Sequence, residues 1–274
     1  MNSSPHWQGN IDLRFQVQGT KTILQRSYAC APLKIQRPFY PEPNICHAVI
    51  LHSAGGMVGG DRLTYQIDLA PESQALITTA AAAKIYRSSG AFAQQQIAIN
   101  LDANAHLEWL PQETIIFDRA QYQQNLRVDL ATGATFCAWE MVRLGRSARQ
   151  ETFTYGCWEN ALEVWQAGKP LWIDRQRITG EQWQSRQASV SQPLLGLLVW
   201  LGGTVSKELV AQARSLAPQH EADWGVTVLA AGLVCRYRGS DRQAAQAWLI
   251  AVWDLLRQTY RQRVACPPRV WQRY

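Results

Sequence analysis

His52-Ser53-Ala54-Gly55-Gly56-Met57-Val58-Gly59-Gly60-Asp61 divides two apolar stretches of the chain. Ahead of it runs Ala48-Val49-Ile50-Leu51; behind it Leu63, Tyr65, Ile67 and Leu69 alternate with other residues. A period of two places alternate side chains on one face of a strand, so the segment joins strand to strand. Four glycines between Gly55 and Gly60 are entropically costly to order and imply positive-φ turns or close backbone approach. Glycine content alone leaves two readings open, a tight structural turn or a functional surface.

Two nucleotide-binding glycine loops can be excluded. A dinucleotide fingerprint requires G-x-G-x-x-G opening a helix, and Met57 stands at the second glycine. A phosphate-cradling loop ends in Gly-Lys-Ser/Thr, whereas Gly60 is followed by Asp61 and Arg62. The sequence beyond is strand-like, so no helix N-terminus faces an anion.

The alternation extends outward in both directions. Ile11, Leu13, Phe15 and Val17 show it, as do Ile97, Ile99 and Leu101, then Phe153, Tyr155 and Cys157, then Leu162 and Val164. Turn residues separate these runs at the spacing of all-β architectures. The fold expected is mostly β, a large sheet structure of many short strands with a few helices, the main one near the C-terminus. No repeat is regular enough to name a propeller or solenoid. From about residue 204 the pattern becomes mixed, within one unit spanning 1–274. Ser206 is placed to cap a helix through Ala217, and Val226 to Tyr237 reads as a hairpin around Ala231-Gly232. Ser240-x-x-Gln243 is a capping-box pattern before an amphipathic helix running to about Arg263, ahead of Pro267-Pro268.

Composition limits the function classes. The chain has 274 residues, 47% hydrophobic and 18% charged, which is globular rather than disordered. Its 12 tryptophans, among them Trp139, Trp158, Trp165, Trp172 and Trp183, are expected on strands and mostly in a core. The net charge of +6 comes from scattered arginines without a basic run, which argues against nucleic acid and suits an acidic protein partner. No signal segment or membrane-length apolar run is evident, and six well-separated cysteines without C-x-x-C suit reduced thiols. A cytoplasmic protein without a membrane role is expected.

Candidate chemistry is sparse. Cys46, His47 and His52 approach the glycine loop, but neighbours on a strand point to opposite faces, so no permanent metal site is expected from them. Asp61, Glu140 and Asp174 could supply oxygen ligands to a transient divalent ion if they converge. Glu108 and Glu113 flank Leu110-Pro111 on an expected turn and read as solvated carboxylates. No Gly-x-Ser-x-Gly elbow is present. Thr78-Thr79-Ala80-Ala81-Ala82-Ala83-Lys84-Ile85-Tyr86-Arg87-Ser88 reads as a packed strand–turn–strand or as a partner surface.

Together these segments resemble the UreD (UreH) urease accessory family. Gly55-Gly56-Met57-Val58-Gly59-Gly60-Asp61 is similar to its G-G-x-x-G-G-D, and Thr78-Thr79 through Lys84-Ile85-Tyr86-Arg87-Ser88 to its T-T-x-x-x-x-K-x-Y-R-S. Leu110-Pro111-Gln112-Glu113-Thr114 with Phe117 resembles L-P-Q-E-T-x-x-F, and Glu140, Gly145-Arg146 and Pro268-Arg269-Val270-Trp271 add to the match. Ser53-Ala54 depart from the proline frequent before the glycines, and Ala148-Arg149-Gln150 from the small residue and glycine usual there.

The resemblance implies a non-enzymatic scaffold whose mostly β fold is an elongated stack of many short strands with a few helices. Such proteins join UreF and, through it, the GTPase UreG, and the complex binds apo-urease. GTP is used by UreG, and nickel passes to urease with no cofactor tightly bound to the scaffold. It implies transient Ni2+ in an internal passage, with Asp61, Glu140 and Asp174 as candidate lining. Thr78, Thr79, Lys84, Tyr86, Arg87, Pro111, Glu113, Arg269 and Trp271 become candidate partner or structural residues. The alternative is a stand-alone β-rich enzyme with its active site at the Gly55–Asp61 loop.

Overall fold

The computed structural model of the chain describes residues 6–185 and 192–271. Its central part is a parallel stack in which the chain alternates between two facing sheets. One sheet takes β4 (Cys46–His52), β6 (Gln74–Thr79), β9 (His106–Trp109) and β12 (Thr135–Leu144), all parallel. The other takes β5 (Arg62–Leu69), β8 (Ala93–Leu101), β11 (Gln121–Leu130) and β13 (Cys157–Gln166), also parallel. Each coil thus adds one strand to each sheet, and the expected stack of short strands is solenoid-like.

Small strands mark a corner of the coil. β7 (Ala83–Ile85) and β10 (Thr114–Ile116) pair in parallel, and β10 pairs the end of β12. Met57 bridges to Ile85, so Met57, Ile85, Ile116 and Leu144 form a buried ladder recurring once per coil. The apolar residue at each corner is what keeps successive coils in register.

Antiparallel strands close both ends, which leaves the parallel strands no open edge. β1 (Gln8–Gln18) extends the second sheet beside β5, with β2 (Lys21–Cys30) at that edge and β14 (Lys169–Thr179) at the other. The first sheet ends in β3 (Leu33–Ile35) on one side and in β15 (Leu194–Leu201), β17 (Gly232–Gly239) and β16 (Asp223–Leu229) on the other. β16 and β17 are the expected hairpin.

Three helices complete the described chain: α1 (Gly180–Ser185), α2 (Lys207–Ser215) and α3 (Arg242–Arg261). Between the sheets lies one core, built from Leu13, Phe15, Ile67 and Ile99 facing Ile50, Ile77, Leu107 and Phe136. A second core packs the outer face of the first sheet, with Trp139, Met141, Leu198 and Trp200, against Leu249, Val252 and Trp253 of α3. Each of those large apolar side chains contributes roughly 1.5–3 kcal/mol by burial. β12 is therefore covered on both faces, and nine of its ten residues are buried.

Several expectations need correction. Asp241, not Ser240, caps α3: its carboxylate accepts from the amides of Gln243 (2.7 Å) and Ala244 (3.0 Å). The Ser240 carbonyl is instead engaged by the Arg143 guanidinium. Left-handed backbone at Gln262 ends α3 at Arg261 rather than Arg263, and α2, capped by Ser206 as expected, ends at Ser215 rather than Ala217. Trp139, Trp158 and Trp183 are buried, but Trp183 sits on α1 rather than on a strand. Trp165 lies beneath the Arg127 guanidinium, partly exposed.

Candidate functional site

A cavity of about 390 Å3 opens between the sheets beneath the glycine loop. Gly55, Gly56 and the strip Ala80–Ala83 with Lys84 border it, and Tyr65, Trp109, Gln124 and Glu140 lie deeper. The loop connects β4 in one sheet to β5 in the other, so its path over the cavity follows from the coil topology.

The glycines have distinct reasons to be there. A Cβ at Gly56 would stand 2.6 Å from the Lys84 carbonyl oxygen and 2.5 Å from the Tyr86 ring. Gly60 adopts φ +96°, a backbone conformation that side-chain-bearing residues rarely take. Met57 and β7 exchange backbone hydrogen bonds: Met57 N donates to Lys84 O and Tyr86 N to Met57 O, each at 2.8 Å. The Tyr86 hydroxyl reaches Gly55 O at 3.3 Å, and its ring meets Phe117 edge-on. The loop and the Thr78–Ser88 segment are thus one structural unit, with Lys84 and Arg87 exposed at its rim.

The three carboxylates occupy different settings. Glu140, on β12, lines the cavity and accepts hydrogen bonds from Gln124 Nε2 (2.5 Å) and Asn160 Nδ2 (2.8 Å). Burial pushes its carboxyl up to about 7; the two amides oppose this and the nearby Asp174 charge adds to it. Asp174 sits beside it on β14 with its carboxylate held by Arg236 at 2.9 Å. Asp61 is buried above, accepting from the amides of Trp7 (2.8 Å) and Val58 (2.9 Å), and is absent from the cavity lining. Its carboxylate closes the turn that the glycines make. His52 borders the cavity mouth, and burial lowers its pKa while Asp61 raises it.

Thr78 and Trp271 meet on the other side of the first sheet, while Thr79, Pro111 and Gln112 also border the cavity. Trp271 Nε1 donates to Thr78 Oγ1 (2.9 Å), and that hydroxyl donates to Leu110 O (2.6 Å). Thr79 Oγ1 accepts from the Gln112 amide at 2.9 Å, and Trp139 Nε1 donates to Pro111 O at 2.8 Å. Trp139, Trp253 and Trp271 pack together beneath them. Arg269 stays exposed.

Glu108 and Glu113, expected to be solvated, are both buried. Glu113 faces Arg242 (3.3 Å) and Arg143 (3.7 Å). Glu108 Oε1 accepts from Arg257 Nε (2.9 Å) and Trp253 Nε1 (2.8 Å), and Arg257 continues to both oxygens of Glu42 (2.7 and 3.1 Å). Burial works against ionisation of Glu108, but His106, Arg257 and Trp253 outweigh it and hold the carboxyl at about 2. His106 Nε2 lies 3.6 Å away, beyond hydrogen-bond reach, so the guanidinium carries the pair. A sequence signal existed: Arg257 interrupts the apolar stripe of α3 four residues after Trp253, and a charge on a buried stripe requires a partner. His47 likewise faces Glu42 at 2.8 Å rather than Cys46 or His52.

A two-sheet stack with an inter-sheet cavity, glycine-turned at its mouth and with Glu140 in its lining, defines a β-solenoid protein. A family model described as "UreD urease accessory protein" matches residues 8–272. The chain is 52% identical over 276 residues to the urease accessory protein UreD of Trichormus variabilis, covering 99% of each chain. It is 51% identical over 269 residues to that of Acaryochloris marina, covering 97% of this chain and 95% of the relative. The relative from Nostoc punctiforme is 52% identical over 269 residues, covering 97% and 96%. The chain belongs to the UreD urease accessory protein family.

Proposed function

We propose that this chain is a urease maturation factor acting in the cytoplasm, a non-catalytic scaffold that joins UreF, and through it the GTPase UreG, to apo-urease. The match to the family over residues 8–272 carries this reading, and the relatives are named as accessory proteins rather than enzymes. No described helix is long and apolar enough to cross a membrane.

Passage of Ni2+ through the chain is supported by the inter-sheet cavity and by Glu140 within it. A carboxylate and amide oxygens suit a hydrated divalent ion that must be handed on rather than kept. Asp61 serves this reading indirectly, by fixing the loop at the cavity mouth. Lys84 and Arg87 at the rim are proposed as contacts for a partner.

The experiment is activation of apo-urease by UreF and UreG with GTP and nickel, with this chain present or omitted. Activation that needs the chain supports the scaffold; equal activation without it refutes it.

A further inference from the structure

Glu42, His47 and Cys266 bring a carboxylate oxygen, an imidazole nitrogen and a thiol sulfur within 4.8 Å of one another. They come from three separate segments: the stretch before β4, β4 itself, and the chain after α3. They lie across the first sheet from the cavity, because His47 points away from the inter-sheet core that Cys46 enters.

Each donor rides on backbone that is held in place. Phe39 and His47 exchange backbone hydrogen bonds of 2.9 Å, which fixes the segment leading to Glu42 against β4. The chain on the Cys266 side is tied by Arg257 Nη1 to Val264 O (2.7 Å), the Ala265 amide to Asp254 (2.6 Å) and Arg263 to Pro43 O (2.5 Å). The His47 and Glu42 side chains are only 3% and 10% exposed, while Cys266 is partly open to solvent. A cation entering past Cys266 therefore meets donors that are already oriented.

We propose that Glu42, His47 and Cys266 form a binding site for a divalent cation of borderline softness, the class of Ni2+ and Zn2+. One nitrogen, one sulfur and one carboxylate oxygen are the donor mixture such ions take, and three protein ligands leave a coordination position open. The cation replaces the proton shared between His47 Nε2 and Glu42 Oε1, which stand 2.8 Å apart. The imidazole then binds through Nε2 with its proton on Nδ1, and the thiol releases its proton to solvent. Arg257 on the same carboxylate opposes the incoming charge. That makes the site exchangeable, unlike a closed structural centre. The site does not rest on the maturation reading.

Co2+ and Ni2+ titrated into the full-length chain report directly on a thiolate ligand through a near-ultraviolet charge-transfer band. One equivalent is expected to give the band. Cys266→Ser should remove it and weaken binding by about tenfold or more, whereas Cys30→Ser, altering an exposed thiol, should leave it intact. Absence of the band in the unaltered chain, or its persistence in Cys266→Ser, overturns the proposal. If Cys266→Ser misfolds, alkylation of the unaltered chain decides: Ni2+ should slow modification of Cys266 and not of Cys30, and equal rates refute the site. None of these readouts involves urease, so they stand or fall separately from the maturation role.

Discussion

Glu140 shows how much one residue's setting changes its chemistry. In sequence it is a carboxylate amid Ala138-Trp139 and Met141-Val142; in the fold it is 8% exposed between two sheets. Burial, opposed by two amides, leaves its carboxyl titrating near 7. A carboxyl raised above its unfolded value adds stability that is complete below the unfolded pKa and lost as pH rises through the folded one. For Glu140 the loss runs from about pH 4.5 to just above 7 and amounts to about 3 kcal/mol. Glu140→Gln keeps an amide-compatible side chain without the charge. Urea unfolding of both proteins at pH 5 and pH 8 should therefore favour the variant increasingly at the higher pH. Parallel pH profiles would show that Glu140 ionises without cost and would remove burial as the cause. Asp61 makes the contrasting case. Its place after Gly59-Gly60 was plain in the sequence, but the turn-closing bonds to Val58 and Trp7 were not, because Trp7 is 54 residues away.

At the scale of elements, legibility followed local periodicity. β5 and β8 alternate apolar and polar residues because one face of their sheet is open, and α3 carries a clear apolar stripe. β12 does not alternate, since both its faces are covered, whereas β9 (His106-Leu107-Glu108-Trp109) does alternate and its polar face is nonetheless buried against α3. Glu108 was misread for that reason. The cap of α3 was displaced by one residue because Ser240 and Asp241 are both good caps, and a distant Arg143 settles the choice. Arg257 is the main polar tie between α3 and the strands beneath, joining Glu108 on β9 to Glu42. Arg257→Met leaves Glu108 charged and uncompensated, and removing one partner of a buried pair costs about 3–5 kcal/mol. Denaturant unfolding should show that loss, and the Arg257→Met, Glu108→Met double variant should recover a large part of it. A single variant as stable as the unaltered chain would mean that packing of Trp253 and Trp139 alone holds the helix.

At the scale of the molecule, the coil topology accounts for both the glycine loop and the cavity. Each passage from the first sheet to the second must turn at the corner where Met57, Ile85, Ile116 and Leu144 stack. The small residues Ala80–Ala83 at one such turn leave space between the sheets where larger side chains would fill it. Alternation announced many strands, yet the solenoid order was hidden, because parallel pairing joins segments whose sequences share no repeat beyond one apolar residue per corner. Ala82, half-buried in the cavity wall, is the position where that space can be removed with least change elsewhere. Ala82→Phe is expected to occupy the cavity mouth while leaving the cores on both faces of the first sheet intact. If the cavity conducts nickel, the variant should still co-purify with UreF and UreG but activate apo-urease at less than about a tenth of the normal rate, a barrier increase of about 1.4 kcal/mol. Nickel content of the urease should fall in proportion. An assembled complex containing Ala82→Phe that loads nickel at the normal rate would separate the cavity from the ion's route and leave the chain as a scaffold alone.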